Sequence, residues 1–213
     1  MKKKICVVII NRANYARIKH FLLEAKKNKK IQLQIILGAS AHLKRFGDIQ
    51  NIIKEDGLKV DQKIYTSLEG ENPTTMAKST GLAIIELTTC FDKLKPDIVL
   101  TVADRYETLA TAISASYMNI FLAHTQGGEV TGSIDESVRH AITKLSHIHF
   151  VSNRRAYKYV VNLGEEKKRV FITGCPSIDI LKKINFKKIQ KEVIKKNIFT
   201  GTGSFFDLKR KFL

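Results

Sequence analysis

Short apolar runs alternate with longer stretches of helical periodicity along most of the chain. Ile5–Ile10, Leu33–Leu37, Ile98–Val102, Ile120–Ala123, His149–Val151 and Val170–Ile172 have strand length and are rich in β-branched side chains. Between them, helical spacing runs over Ala16–Lys27, Asp48–Asp56, Thr75–Leu94, Glu107–Met118, Asp135–Ser146, Arg154–Leu163 and Ile178–Ile184. Strands that read as unbroken apolar runs are buried on both faces, so this alternation predicts a parallel sheet with helices on both faces. The fold class is α/β, Rossmann-like. Local signals agree with these boundaries. Asn72-Pro73 fits an N-cap followed by proline at the first helical position, Pro96 closes that helix, and Gly164 sits where a C-terminal glycine belongs.

The last stretch differs in character. Lys182 to Lys196 places Ile184, Ile189 and Ile194 among lysines; Thr200–Ser204 reads as a loop, and Phe205 to Leu213 as an apolar stub. The pattern divides the chain into a Rossmann-like domain over 1–181 and a basic helix, linker and stub over 182–213.

Composition narrows the function classes. The chain has 213 residues, 44% hydrophobic and 27% charged, ordinary values for a globular protein. No apolar run approaches the roughly 20 residues of a membrane span. Ile5–Ile10 after three lysines is shorter than the roughly seven residues that a leader's apolar region needs. Cys6, Cys90 and Cys175 lie far apart, which indicates neither a disulfide framework nor a zinc site, and a cytoplasmic home is expected. The formal net charge is +17, but the lysines are spread out without interleaved aromatics. A dedicated nucleic-acid role is therefore not indicated, whereas an anionic sugar nucleotide suits a basic cleft. Dinucleotide and Walker A loops are absent from the sequence, and no NAD, ATP or other cofactor is expected.

The chemistry-bearing residues fall at strand ends. Asp104, Arg105 and Glu107 follow Ile98–Val102; His124, Gln126 and the Gly127-Gly128-Glu129 turn follow Ile120–Ala123; Asp135 and Glu136 open the next helix. Arg12 and Arg17 follow the first strand. In an open parallel sheet, ligands lie outside the carboxyl ends of the strands, so these groups should meet over one crevice. Carboxylates crowded there would raise one another's pKa, letting one act as acid while another stays a base. Plainer readings stand beside this: Asp104 as a helix cap, Asp135–Arg139 and Glu136–His140 as ion pairs within a helix. The histidines show no metal-ligand spacing, and no metal is expected.

Asn11-Arg12-Ala13-Asn14-Tyr15, Ala103-Asp104-Arg105-Tyr106-Glu107, the block from His124 to Phe150 and Gly174-Cys175-Pro176-Ser177-Ile178-Asp179 together resemble the UDP-N-acetylglucosamine 2-epimerase family. They look most like its hydrolysing branch, which serves sialic-acid-like nonulosonate synthesis. The resemblance implies a GT-B-type fold of two Rossmann-like domains with the active site between them, of which this chain holds the first. It implies loss of UDP across C1 and C2 of the sugar, then hydration with inversion at C2. By matched position it implies Asp104 and Asp135 as acid/base groups supported by Glu129 and Glu136, and Arg12, Arg17, Arg105, His124, Gln126 and Arg139 as substrate contacts. Two positions depart from the pattern. Gln126 stands where many members have a catalytic Glu, and Asn14 where many have Asp. A glutamine cannot exchange protons, so either Glu129 takes the role or the substrate differs. Further expectations are a UDP-sugar ligand, little or no activity from this chain alone, and self-association as one way to cover the exposed cleft face. A stand-alone domain binding a sugar nucleotide or a partner is the alternative.

Overall fold

A computed structural model describes residues 1–176 and 178–179, apart from 44–46, 48 and 71. Among these, β1 (Lys3–Ile9), β2 (Ile31–Leu37), β3 (Gln62–Lys63), β4 (Ile98–Val102), β5 (Phe121–Thr125), β6 (Ile148–Val151) and β7 (Val170–Ile172) build one sheet. All neighbours are parallel, in the order β3-β2-β1-β4-β5-β6-β7. The connecting helices are α1 (Arg12–Lys27), α2 (Ile49–Glu55), α3 (Pro73–Leu94), α4 (Tyr106–Tyr117), α5 (Ile134–Leu145) and α6 (Arg154–Asn162). The chain divides into two compact units, Met1–Ser177 and Ile178–Leu213. The basic helix, linker and stub expected over 182–213 lie outside the described residues.

The pleat of β1 explains the two layers. Cys6 and Val8 point to a core with Leu87 and Phe91 of α3, Ala110 of α4 and Ile142 of α5. Val7 and Ile9 point the other way, to Tyr15, Ile18 and Leu22 of α1 and Ile49 and Ile53 of α2. Successive strand side chains face opposite sides, so an unbroken apolar run feeds both cores at once. Phe91 and Leu22 are fully buried, and each such side chain contributes roughly 1.5–3 kcal/mol by leaving water.

Helix starts are set by side-chain caps. The Asn11 carboxamide accepts from the Asn14 amide at 2.7 Å, which starts α1 at Arg12, four residues before the expected Ala16. Asn72 and Thr75 form a reciprocal capping box, with Pro73 at the first position of α3. Lys26 and Lys27 occupy the last turn of α1, where cations suit the helix dipole. One strand has no counterpart among those expected, and one strand boundary needs correction. β3 is a two-residue polar edge strand with no apolar run to announce it. β5 extends through His124 and Thr125, so His124 lies within the sheet rather than beyond it.

The Gly127-Gly128 turn lets α6 approach the sheet edge. Gly128 has φ +75, and a Cβ there would stand 2.3 Å from the Ala156 carbonyl oxygen. Gly132 has φ +69 but open space around it. Gly128→Ala should therefore cost about 3 kcal/mol, from clash and left-handed strain together, and Gly132→Ala about 1 kcal/mol from the strain alone. Urea unfolding of the two variants checks this; equal losses would remove the close approach as the cause.

Candidate active site

From β3 at one edge the chain returns across the sheet to β4, on the other side of β1. Loops after β1 and β4 therefore diverge and leave a crevice at their carboxyl ends, the switch point of an open α/β sheet. A cleft of about 400 Å³ opens there, lined by Asn11, Ser40, Leu68, Asn72, Ser79, Arg105 and Glu107 among others. Asn14 ties the first turn of α1 to the end of β4, its Nδ2 donating to the Val102 carbonyl at 3.3 Å.

Of the expected site residues, Arg105 and Glu107 line this cleft, Glu129 lines a separate hollow with Gly128 and Asn153, and Asp104, one residue before Arg105, pairs with Arg139. Arg139 is 2% exposed, and its guanidinium donates to the Asp104 carboxylate and the Glu129 carbonyl, with Thr131 Oγ1 at 3.4 Å. Asp104 therefore does not cap α4; the N-cap there is Arg105, without a side-chain bond. Nor does Arg139 serve Asp135 within α5. Asp135 sits half-buried in the first turn of α5, one turn before Arg139 and on the same face, because residues four apart stack along a helix.

The other acids have partners as well. Glu129 Oε1 accepts from the Ser152 hydroxyl at 3.1 Å. Glu136 accepts from the Gly132 and Thr131 amides at 2.7 and 3.2 Å, and these bonds hold its carboxyl below the usual range. That direction is opposite to the one expected from crowding, because backbone donors favour the ionised form. Glu107, 5% exposed, pairs with Arg105 through Nε at 3.0 Å and Nη2 at 3.3 Å. Burial disfavours charge on Arg105, but the Glu107 bonds outweigh it and hold the guanidinium protonated.

Among the remaining expected contacts, Arg12 is exposed at the first position of α1. Arg17 donates from Nη1 to Gln126 Oε1 at 3.1 Å, and its charge adds to burial in disfavouring the Arg139 cation. His124 is corrected: at 0% exposure it cannot meet a ligand over the sheet. Its Nε2 bonds the Ala103 carbonyl at 2.9 Å, and Nδ1 faces Thr143 Oγ1 at 3.4 Å. Thr143 and Ser152 were missed because hydroxyls in helices and loops carry no distinguishing local signal. Among the described residues no group of three or more His, Cys, Asp or Glu side chains is placed to hold a metal ion, and no helix is long and apolar enough to cross a membrane.

This is a Rossmann-like domain of the GT-B type, with polar groups gathered at its switch point. By its sequence the chain belongs to the UDP-N-acetylglucosamine 2-epimerase family, whose model matches residues 23–207. It is 40% identical over 187 residues to the GDP/UDP-N,N'-diacetylbacillosamine 2-epimerase (hydrolyzing) of Campylobacter jejuni, covering 87% of this chain and 48% of that protein. It is 36% identical over 180 residues to the UDP-N,N'-diacetylbacillosamine 2-epimerase (hydrolyzing) of Legionella pneumophila, covering 84% and 48%. The chain thus spans about half the length of the curated relatives it matches. In fold it resembles the crystal structure of the UDP-GlcNAc 2-epimerase from Neisseria meningitidis, bound to UDP-GlcNAc, with a TM-score of 0.75 at 22% identity over 94% of this chain and 56% of that one.

Two predictions follow from the burial of this cluster. Asp104→Ala strands the Arg139 guanidinium and should cost about 3 kcal/mol, most of which returns in Asp104→Leu combined with Arg139→Met; chemical unfolding of the single and double variants measures the difference. Burial pushes His124 down from 6.5 to about 4, against a smaller opposing effect of the Ala103 bond. Below 6.5 the unfolded chain takes a proton that the folded chain refuses until near 4, so the contribution is whole above 6.5 and lost as pH falls across that window. The slope from this group is about 1.4 kcal/mol per pH unit. His124→Gln should lessen the drop in unfolding free energy between about pH 6.5 and pH 5; an unchanged drop would contradict a neutral buried ring.

Proposed function

We propose that this chain supplies the acid/base half of a hydrolysing sugar-nucleotide 2-epimerase acting on a UDP-2,4-diacetamido sugar or UDP-N-acetylglucosamine. The observation that carries the reading is Asp104, held by Arg139 at the switch-point crevice of a chain 40% identical to a hydrolysing 2-epimerase over 187 residues. In the first step a base removes the C2 proton while the C1–O bond breaks, its electron pair leaving with UDP and a C1–C2 double bond forming. Water then adds its oxygen to C1, and C2 is reprotonated on the opposite face, giving the manno-configured sugar. A carboxylate that exchanges protons is needed at each stage. Asp104 and Asp135 are assigned these roles. Glu129 is assigned a supporting role; Arg139 links its backbone carbonyl to Asp104, while its carboxylate is held by Ser152. Glu136 holds the Thr131–Gly132 turn at the start of α5 and acts by shaping the site.

The cations have separate work. Arg12 and Arg17, at the start of α1, suit the diphosphate, where a helix N-terminus adds its own attraction for anions. Arg105 is bound to Glu107 and presents a fixed donor edge to the 400 Å³ cleft. Gln126 accepts from Arg17 and serves as a neutral contact. No cofactor is required, because the C2 proton is lost and regained without net oxidation. A non-catalytic sugar-nucleotide-binding domain is the second reading, favoured by the glutamine at 126.

The test joins this chain to the carboxyl-terminal half of the Campylobacter jejuni relative. The chain alone should release UDP only at background rate. The joined protein should yield UDP and the manno-configured sugar, with Asp104→Asn lowering kcat by about 100-fold or more. Binding of the UDP-sugar without turnover by the joined protein would favour the second reading.

A further inference from the structure

We infer that His124 is a positioning residue: from inside the sheet, its ring holds the backbone of Ala103 in the conformation that carries Asp104 to the crevice. The inference rests on the reading of Asp104 as a proton-moving group. Ala103 leaves β4 at φ +65, a left-handed conformation that a residue with a side chain keeps only when its surroundings over-determine it. Two bonds from β5 do so. The Ala103 amide donates to the Thr125 carbonyl at 3.1 Å, and the Ala103 carbonyl accepts from His124 Nε2 at 2.9 Å.

The donor direction settles the tautomer. A carbonyl oxygen only accepts, so Nε2 carries the proton and Nδ1 is left with its lone pair, 3.4 Å from Thr143 Oγ1. The Thr143 hydroxyl donates to the Arg139 carbonyl at 2.9 Å, one turn back along α5. Arg139 then grips the Asp104 carboxylate. Asp104 is thus held from both ends, by its preceding peptide through His124 and by its carboxylate through Arg139. Thr143 has one hydroxyl proton, which goes to the Arg139 carbonyl, so it only packs against Nδ1.

The ring is confined on every side. It is fully buried beside its register partner His149 of β6. A Cβ at position 127 would lie 3.1 Å from Nδ1, so glycine there leaves the room that the ring occupies. Burial also keeps the ring neutral at ordinary pH, which preserves one donor and one acceptor. A group so enclosed does not touch substrate, and its influence passes through Ala103.

Three measurements test this. Nitrogen NMR of the 213-residue chain should show His124 protonated at Nε2 and bare at Nδ1 from about pH 5.5 to 8; the opposite tautomer overturns the inference without any variant. His124→Gln keeps an N–H near the Ala103 carbonyl, whereas His124→Met removes it. The Asp104 carboxyl-carbon and Arg139 side-chain N–H signals should stay in place in the Gln variant and move in the Met variant. In the joined protein, His124→Met should lower kcat by about 100-fold with KM within about threefold, and His124→Gln should recover to within about tenfold of the parent. Unmoved signals in His124→Met, or equal loss of kcat in both variants, overturn the inference. Should the joined parent itself show no turnover, the epimerase reading fails, while the NMR arms still decide whether His124 holds Asp104.

Discussion

A single buried guanidinium organises the carboxyl edge of this sheet. Arg139 sits on α5, yet its bonds reach the carboxylate just beyond β4 and the backbone of the turn after β5. Taking a charge out of water is costly unless acceptors surround it. Asp104, the Glu129 carbonyl and Thr131 supply acceptors to its two terminal nitrogens, which ties α5 to the loops after β4 and β5. Its Nε finds no partner among the described residues, and Arg17 stands close enough for mutual repulsion. The balance therefore depends on the Asp104 carboxylate remaining where it is. Such a pair adds little net stability against an apolar substitute, but it selects one arrangement over others.

Backbone strain works with this pair. Ala103 at φ +65 and Gln126 at φ +64 lie at corresponding places beyond β4 and next to β5. Both turn the chain sharply where it leaves the sheet, and both are held by bonds from the neighbouring strand: Ala103 to Thr125, Gln126 to Phe150. Strain persists where surrounding structure over-determines it, and such places cluster at sites of function. Gly128 completes the edge by admitting the Ala156 carbonyl into space that a side chain would fill.

The electrostatic character of the crevice follows from pairing. Asp104 meets Arg139, Glu107 meets Arg105, and Glu136 meets two backbone amides. These groups form a set of fixed dipoles and ion pairs. Preorganised groups of this kind need not reorient when charge develops beside them.

The chain's local physics was enough to read the strand and helix order, the parallel sheet and its two-sided cover, the Asn72–Pro73 start and the gathering of polar residues at strand ends. Those features depend on spacing within a few residues, and spacing is written in the chain. Tertiary structure decided the rest. Arg139 has an acid four residues before it and another 35 residues before it, and it chose the distant Asp104. His124 looked like the residue after a strand, but pairing of Thr101 with His124 and Val102 with Thr125 carried β5 further and enclosed the ring. β3 exists only because β2 offers an edge to Gln62 and Lys63. In each case the outcome turned on which distant group arrived within bonding distance, and a long-range partner leaves no mark on the periodicity of either segment.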